Sequence, residues 1–229
     1  MPVRSAAKRG TVVLASAVVV AALPTTAGTA AGAVAAPRFD QAFATDAAPA
    51  HFHARVTYRA RDGVHRIELW RDGAVRLRRD TDGRLVTIAT RRNPHRPEFR
   101  LDLLDRRRHL HTIVDRTSLY QVGHFTDWDD LAFGMRRPAG RYRLTALANG
   151  GGATTPLPPC RWFALDSDGR RTRICWSREQ AFPMLMLDGA GREIWRVTAL
   201  DDDAPSASLF RPDAQGYIVT NAARDIAGD

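Results

Sequence analysis

From His51 onward the chain alternates between apolar and polar residues. In FHARVTYRA, Phe52, Ala54, Val56, Tyr58 and Ala60 fall on one parity and His53, Arg55, Thr57 and Arg59 on the other. A period of two marks a half-buried β-strand. The run ends at Asp62-Gly63, and the same step recurs at Asp72-Gly73, Asp82-Gly83, Asp168-Gly169 and Asp188-Gly189. Asp-Gly supplies the positive φ that tight hairpin turns need. VHRIELWR, AVRLRR, RLVTIAT, EFRLDLL and RHLHTIVD complete six short strands in a row. Their connections are too short for helical crossovers, so the pattern predicts an antiparallel meander.

The alternation breaks between Arg116 and Pro138. Thr126 followed by Asp129 resembles a capping box, Asp127 and Asp130 suit the positive end of a helix dipole, and Arg136, Arg137 and Pro138 suit its end. The spacing of Trp128, Leu131, Ala132 and Met135 predicts one helix at about 127–136, packed on the sheet. Strands resume at RYRLTAL, then in the two cysteine segments, PMLMLD, REIWRVTALD and GYIVTNA, about eleven in all. The chain thus reads as mainly β.

The first residues have another character. MPVRSAAKRG carries Arg4, Lys8 and Arg9 without an acid, and an apolar run of about 14 residues follows, ending in small residues up to AVAAP. That is the layout of a secretory signal, and the run is too short to span a bilayer. Residues 1–35 are therefore expected to be a signal peptide without a lipid-anchor cysteine, residues 36–50 a loose leader or a short packing helix, and residues 51–229 a single β domain. The location implied is periplasmic or secreted, with no membrane span after cleavage.

Export bears on Cys160 and Cys175, the only two cysteines. PPCRWFALDSDGRRTRICWS reads as a hairpin. A four-residue turn over 166–169, or a two-residue turn centred on Ser167-Asp168, puts Cys160 opposite Cys175, close enough for a disulfide. Two reduced, buried thiols are the alternative in a reducing compartment.

Charge is uneven. Residues 55–108 hold 16 Arg against 8 acids, while Lys8 is the only lysine. A basic face fits an anionic headgroup or an acidic protein partner, and equally a solvated outer sheet face. No recognition helix or aromatic RNA-binding signature accompanies it, so nucleic acid is not an expected partner. His51-x-His53 and His109-x-His111 place histidines on one strand face, but no third ligand with recognised spacing is nearby, so no metal or other cofactor is expected. Asp127, Asp129 and Asp130, and Asp201 to Asp203, are explained by a helix start and a polar turn. No nucleophile elbow or phosphate-binding loop is present. No catalytic residue is assigned, and the chain is not read as an enzyme.

A signal-like start, a long meander, a Trp-bearing helix and the closing phrase LFRPDAQGYIV, with Phe210, Pro212, Gly216 and Tyr217 close together, resemble the periplasmic lipoprotein-carrier superfamily, the LolA/LolB and RseB-like proteins. The resemblance covers nearly all of residues 51–229. It implies a strongly curved antiparallel sheet, an unclosed β-barrel, with one or more lid helices, and a cavity that takes acyl chains or a partner peptide. No functional residue transfers from it. From the strand pattern, Tyr58, Leu69, Leu77, Phe99, Leu101, Trp162, Trp176, Met184, Met186 and Trp195 are the cavity candidates, and Arg55, Arg59, Arg66, Arg76 and Arg78 the basic rim. The expected function is to hold a lipid, an acylated protein or another amphipathic ligand in the hollow of the sheet. The alternative is an envelope regulatory module of the RseB type that binds a protein partner.

Overall fold

The computed structural model describes residues 37–114, 127–150 and 158–222. The signal-like segment, Thr126 of the expected capping box and part of the loop before the cysteine hairpin lie outside the described residues. Residues 35–229 gather into one compact unit.

Turn chemistry sets the first meander. Strands β1 (His51–Arg59), β2 (Val64–Asp72), β3 (Arg76–Thr81), β4 (Leu85–Thr90), β5 (Arg100–Asp105) and β6 (Leu110–Val114) pair in sequence, each antiparallel to the last. At Asp82-Gly83 both residues have positive φ, 56° and 64°, the left-handed pair that lets the tight turn between Thr81 and Leu85 follow the twist of its strands. A second meander runs through β7 (Tyr142–Leu147), β8 (Arg161–Ser167), β9 (Arg170–Ser177), β10 (Phe182–Leu187) and β11 (Glu193–Asp201). β11 joins β1 antiparallel, with a bulge between Arg55 and Val56. The two meanders thus become one twelve-stranded sheet, ordered β12-β6-β5-β4-β3-β2-β1-β11-β10-β9-β8-β7.

One feature departs from the sequence pattern. The last strand, β12 (Ile218–Asn221), lies parallel to β6, so the sheet is mostly and not wholly antiparallel. Residues 202–217 give the chain enough length to cross the sheet before pairing, which removes the short-loop constraint on direction. On the way, a 3-10 turn (Ala207–Phe210) drops Phe210 onto Val86, Ile88 and Leu104. This explains why β4 is buried on both faces. In the leader, Phe39–Ala42 form a one-turn helix, α1, and Phe39 and Phe43 are buried, so this segment takes the packing-helix alternative.

The sheet curls without closing. Leu77, Ala89, Leu101 and Val114, from β3 to β6, share one core with Leu144, Phe163, Ile174 and Trp176, from β7 to β9. These strands lie towards opposite ends of the sheet, so a common core requires its two wings to bend inward around a plug. The plug is α1 with helix α2 (Trp128–Phe133). Helix α2 is shorter than the apolar spacing predicts. Asp127 caps it, accepting a hydrogen bond from the Asp130 amide at 2.7 Å, and Gly134 ends it in the left-handed region at φ 66°. Arg136 and Arg137 therefore fall outside the helix. Each large side chain that the plug buries contributes about 1.5 to 3 kcal/mol by leaving water.

The cysteine hairpin takes another register than the one expected. Asp168 and Gly169 have φ 51° and 70°, so the two-residue turn is centred one residue later. Cys175 then faces Trp162, and Ser167 faces Arg170. Cys160 lies just before β8, and the disulfide closes diagonally with the Cα atoms 5.3 Å apart, inside the range a disulfide tolerates. With the cysteines 15 positions apart, removing the bridge with C160A/C175A is expected to cost about 3 kcal/mol in urea unfolding. Intact-mass measurement should show two alkylatable thiols only after reduction. Alkylation of both in the native protein would exclude the bridge.

Candidate ligand-binding site

Ladder register decides which side chains share a face. Tyr58 faces His65, Val56 faces Ile67, Ala54 faces Leu69, and Phe52 faces Arg71. Onward across the sheet, Arg71 faces Leu77, Leu77 faces Ala89, Ala89 faces Leu101 and Leu101 faces Val114. This is the inner, concave face. On the other wing Met186 faces both Trp195 and Ile174, and Trp176 and Met184 join the inner cores. Phe99, just before β5, packs edge-on against Trp128 of α2 with ring centroids 5.8 Å apart.

Nine of the ten cavity candidates therefore converge on the hollow. Trp162 does not. It faces Cys175 and packs with Leu185 and Leu187 on the opposite face, because its parity is that of Cys175 and Arg173 and not that of Ile174. The side chains of the plug fill the hollow where it was expected to be open. Leu69, Leu77, Phe99, Leu101, Trp176 and Met184 are buried, while Tyr58, Met186 and Trp195 are half-buried. The space left under α2 is about 60 Å³, lined by Ile67, Leu69, Arg79, Leu131, Phe182 and Trp195 among others. It is far too small for an acyl chain.

The basic rim is also displaced. Arg55, Arg59, Arg66, Arg76 and Arg78 all have the parity of His53, Glu68 and Trp70, so they project from the convex face. Arg55 lies 3.5 Å from Glu68, Arg76 pairs with Asp72, and Arg78 donates to the Leu209 carbonyl at 2.9 Å. Arg55 and Arg66 instead line an open groove of about 980 Å³ shared with Glu68, Asp80 and Asp82. A period of two cannot place these arginines and the apolar candidates around the same ligand.

The inner face carries a residue that the pattern search passed over. Arg71 is only 1% exposed. Its guanidinium lies between two phenyl rings, 4.5 Å from the Phe52 centroid and 4.6 Å from that of Phe133. Nη1 donates to the Ala132 carbonyl of α2 at 3.0 Å and Nη2 to the Gln180 carbonyl at 3.1 Å. Among the described residues no carboxylate pairs with it, and burial pulls its pKa down to about 10. The cost of burying this charge is on the order of 3 kcal/mol, which the two bonds and two ring contacts must offset. The sequence did contain a signal: Arg71 sits on the apolar parity of β2, after Ile67 and Leu69.

The histidines are accounted for by carboxylates. His53 donates to Asp201 at 2.7 Å or Glu68 at 3.0 Å and stacks on Trp70, His51 lies 3.2 Å from Asp72, and buried His111 lies 2.8 Å from Asp102. His109 is in a turn at φ 51°, so it does not share a strand face with His111. Among the described residues no group of His, Cys, Asp or Glu has metal-binding geometry. Asp129 and Asp130 of α2 have their pKa values raised, first by burial and then by Asp127. Among the described residues no helix is long and apolar enough to cross a membrane.

Comparison with known proteins adds little to this geometry. No protein-family model matches the chain, and neither does any curated protein. Among solved structures, the crystal structure of MucB aligns with 77% of this chain at 13% identity and a TM-score of 0.41, and a structure of PNGF-II in a C2 crystal form aligns with 75% at 7% identity and a TM-score of 0.31. The matched regions span 62% and 30% of those chains, less than two thirds of either. Both superpositions are loose, and the fold stands on its own ladder registers.

One titratable cluster at the strand ends yields a pH dependence. His65 lies between Asp82 at 2.7 Å and Asp62 at 3.0 Å and stacks on Tyr58. Its bonds to Asp82 and then Asp62 raise its pKa above 6.5. The Asp62 pKa is lowered first by His65, and that of Asp82 first by the Arg66 amide and then by His65. Protonated His65 therefore stabilises the fold fully below its unfolded pKa near 6.5, and this contribution is lost as pH rises through the higher folded value. The aspartates contribute above their unfolded pKa near 3.9, and that contribution is lost as pH falls through their lower folded values. NMR titration should place the His65 midpoint above 6.5, with D82N moving it down. A midpoint at or below 6.5 in the unmodified protein would contradict this assignment.

Proposed function

We propose that this chain is an exported, non-catalytic binding protein that takes the apolar part of an amphipathic ligand, a lipid or an acylated protein, into the hollow between sheet and α2, and that the structure described here is its closed state. The observation that carries the reading is the contact of buried Arg71 with the Ala132 carbonyl of α2. A permanent plug needs no cation there, since Leu or Met would fill the space without the desolvation cost. A directional bond across the interface between helix and sheet can instead be made and broken as a unit. A helix of six residues has little stability of its own. Once that bond is lost, α2 is free to leave Leu69, Leu77, Trp176 and Met184, the surface an acyl chain would occupy. The signal-like start and the disulfide support an exported location.

A second reading, a regulatory module that binds a protein partner, is favoured by the open convex groove. Arg55 and Arg66 face Glu68, Asp80 and Asp82 there, a mixed-charge surface more suited to a polypeptide than to a lipid.

Replacing Arg71 by Met keeps most of the volume and removes both bonds. R71M is expected to bind N-phenylnaphthylamine, a neutral apolar fluorophore, roughly tenfold more tightly than the parent, because ligand no longer has to displace a held lid. Native mass spectrometry of protein gently extracted from its cells should show a lipid adduct. Equal probe affinity in the two proteins, with no adduct, would rule out the carrier reading. Loss of a stable protein complex in R55E/R66E would establish the second.

A further inference from the structure

A groove of about 580 Å³ opens beside the hairpin between β2 and β3. Its walls come from residues 45–50, the hairpin residues Gly73 and Ala74, the Pro-rich loop after β4, and Asp129 and Phe133 of α2. Three arginines, Arg71, Arg91 and Arg96, line it. Arg71 forms the most buried part of the lining, and its Nε is buried without a hydrogen-bond partner. Arg91 donates from Nε to the Ala74 carbonyl, and its guanidinium lies 4.1 Å from the Trp128 ring centroid. Arg96 is exposed.

Among the described residues none of the three has a carboxylate within ion-pair distance. Elsewhere the arginines are commonly neutralised: Arg100 by Asp102, Arg106 by Asp80 and Arg192 by Asp188. Two carboxylates share the groove. Asp46 already lies 3.3 Å from Arg178, and Asp129 interacts electrostatically with Arg91. The groove thus sets three arginines against two aspartates, one of which already lies beside Arg178, and this leaves an excess of positive charge in a partly enclosed site where it attracts an anion.

We propose that this groove binds a phosphate-type oxyanion, held between Arg91 and Arg96 with Arg71 adding its charge from the floor. Guanidinium groups present forked donors that match such an anion, and Arg91 is held in place by Trp128 and the Ala74 carbonyl. The anion has two possible sources, free phosphate and the headgroup of an anionic phospholipid. The site does not depend on opening of the hollow, so it stands or falls separately from the carrier reading.

Amide shifts of the full chain, followed by NMR during titration, test it with two probes: inorganic phosphate, and dihexanoyl phosphatidic acid at monomeric concentrations. Shifts are expected at Gly73, Ala74 and residues 91–97. R96A, at an exposed position, should weaken binding roughly tenfold, the scale of a lost charge-assisted contact. R91K should weaken it less, and R108A, on the turn between β5 and β6 outside the groove, should leave it unchanged. Saturation by phosphate with these losses supports a site for the free anion. Saturation by phosphatidic acid alone, with the same losses, supports a headgroup site. No shift with either probe, or equal affinity in R96A, R91K and R108A, overturns the proposal.

Discussion

The rest of the structure depends on how Arg71 is held. A guanidinium almost fully removed from water, with no carboxylate beside it, persists only because two backbone carbonyls accept its protons and two phenyl rings cover its faces. Those partners come from three places: Phe52 of β1, the end of α2 with the Ala132 carbonyl and the Phe133 ring, and the turn before β10. One side chain therefore ties the first meander, the second meander and the plug together. A curled sheet of twelve strands has an inner face that its own curvature cannot cover, and this clamp holds the cover in place.

Strand parity imposes a second constraint, on what the molecule can bind. Because successive side chains alternate between faces, the convex arginines and the apolar concave residues belong to different surfaces. A ligand with a charged head and an apolar chain cannot use both across the thickness of the sheet. Among the described residues, positive charge on the concave side includes arginines that break the polar parity or sit in loops: Arg71 and Arg79 on strands, Arg91 and Arg96 after the end of β4. The convex arginines largely spend their charge on neighbouring carboxylates or on the segment 207–217 that crosses them.

Helix α2 shows how local chemistry and packing divide the work. Asp127 and Gly134 define its two ends with a side-chain cap and a left-handed residue, whereas its burial comes entirely from the sheet. Its acids pay a cost for that position, since burial raises Asp129 and Asp130. A helix of six residues, held by its apolar face and by Arg71 and Arg91, is a weakly held element beside a hydrogen-bonded sheet.

Much of the fold was legible in the residues alone. Alternation identified the strands, Asp-Gly steps located most of the hairpins, and apolar spacing found α2, because each of these signals acts over fewer than about ten residues. The joining of Cys160 to Cys175 was likewise legible in local pattern, although the turn at Asp168-Gly169 lies one residue later than expected, which shifts the pairing by two residues and makes the bridge diagonal. What only the tertiary structure decided involves residues far apart in the chain: β12 beside β6, β11 beside β1, Phe39 and Phe43 in the core, and the bond from Arg71 to Ala132. Parity assigns a residue to one of two faces, but it does not say which face becomes concave or what covers it. That choice is made by curvature and by segments arriving from 30 to more than 100 residues away, and so the filled hollow and the clustered arginines appear only once the chain is folded.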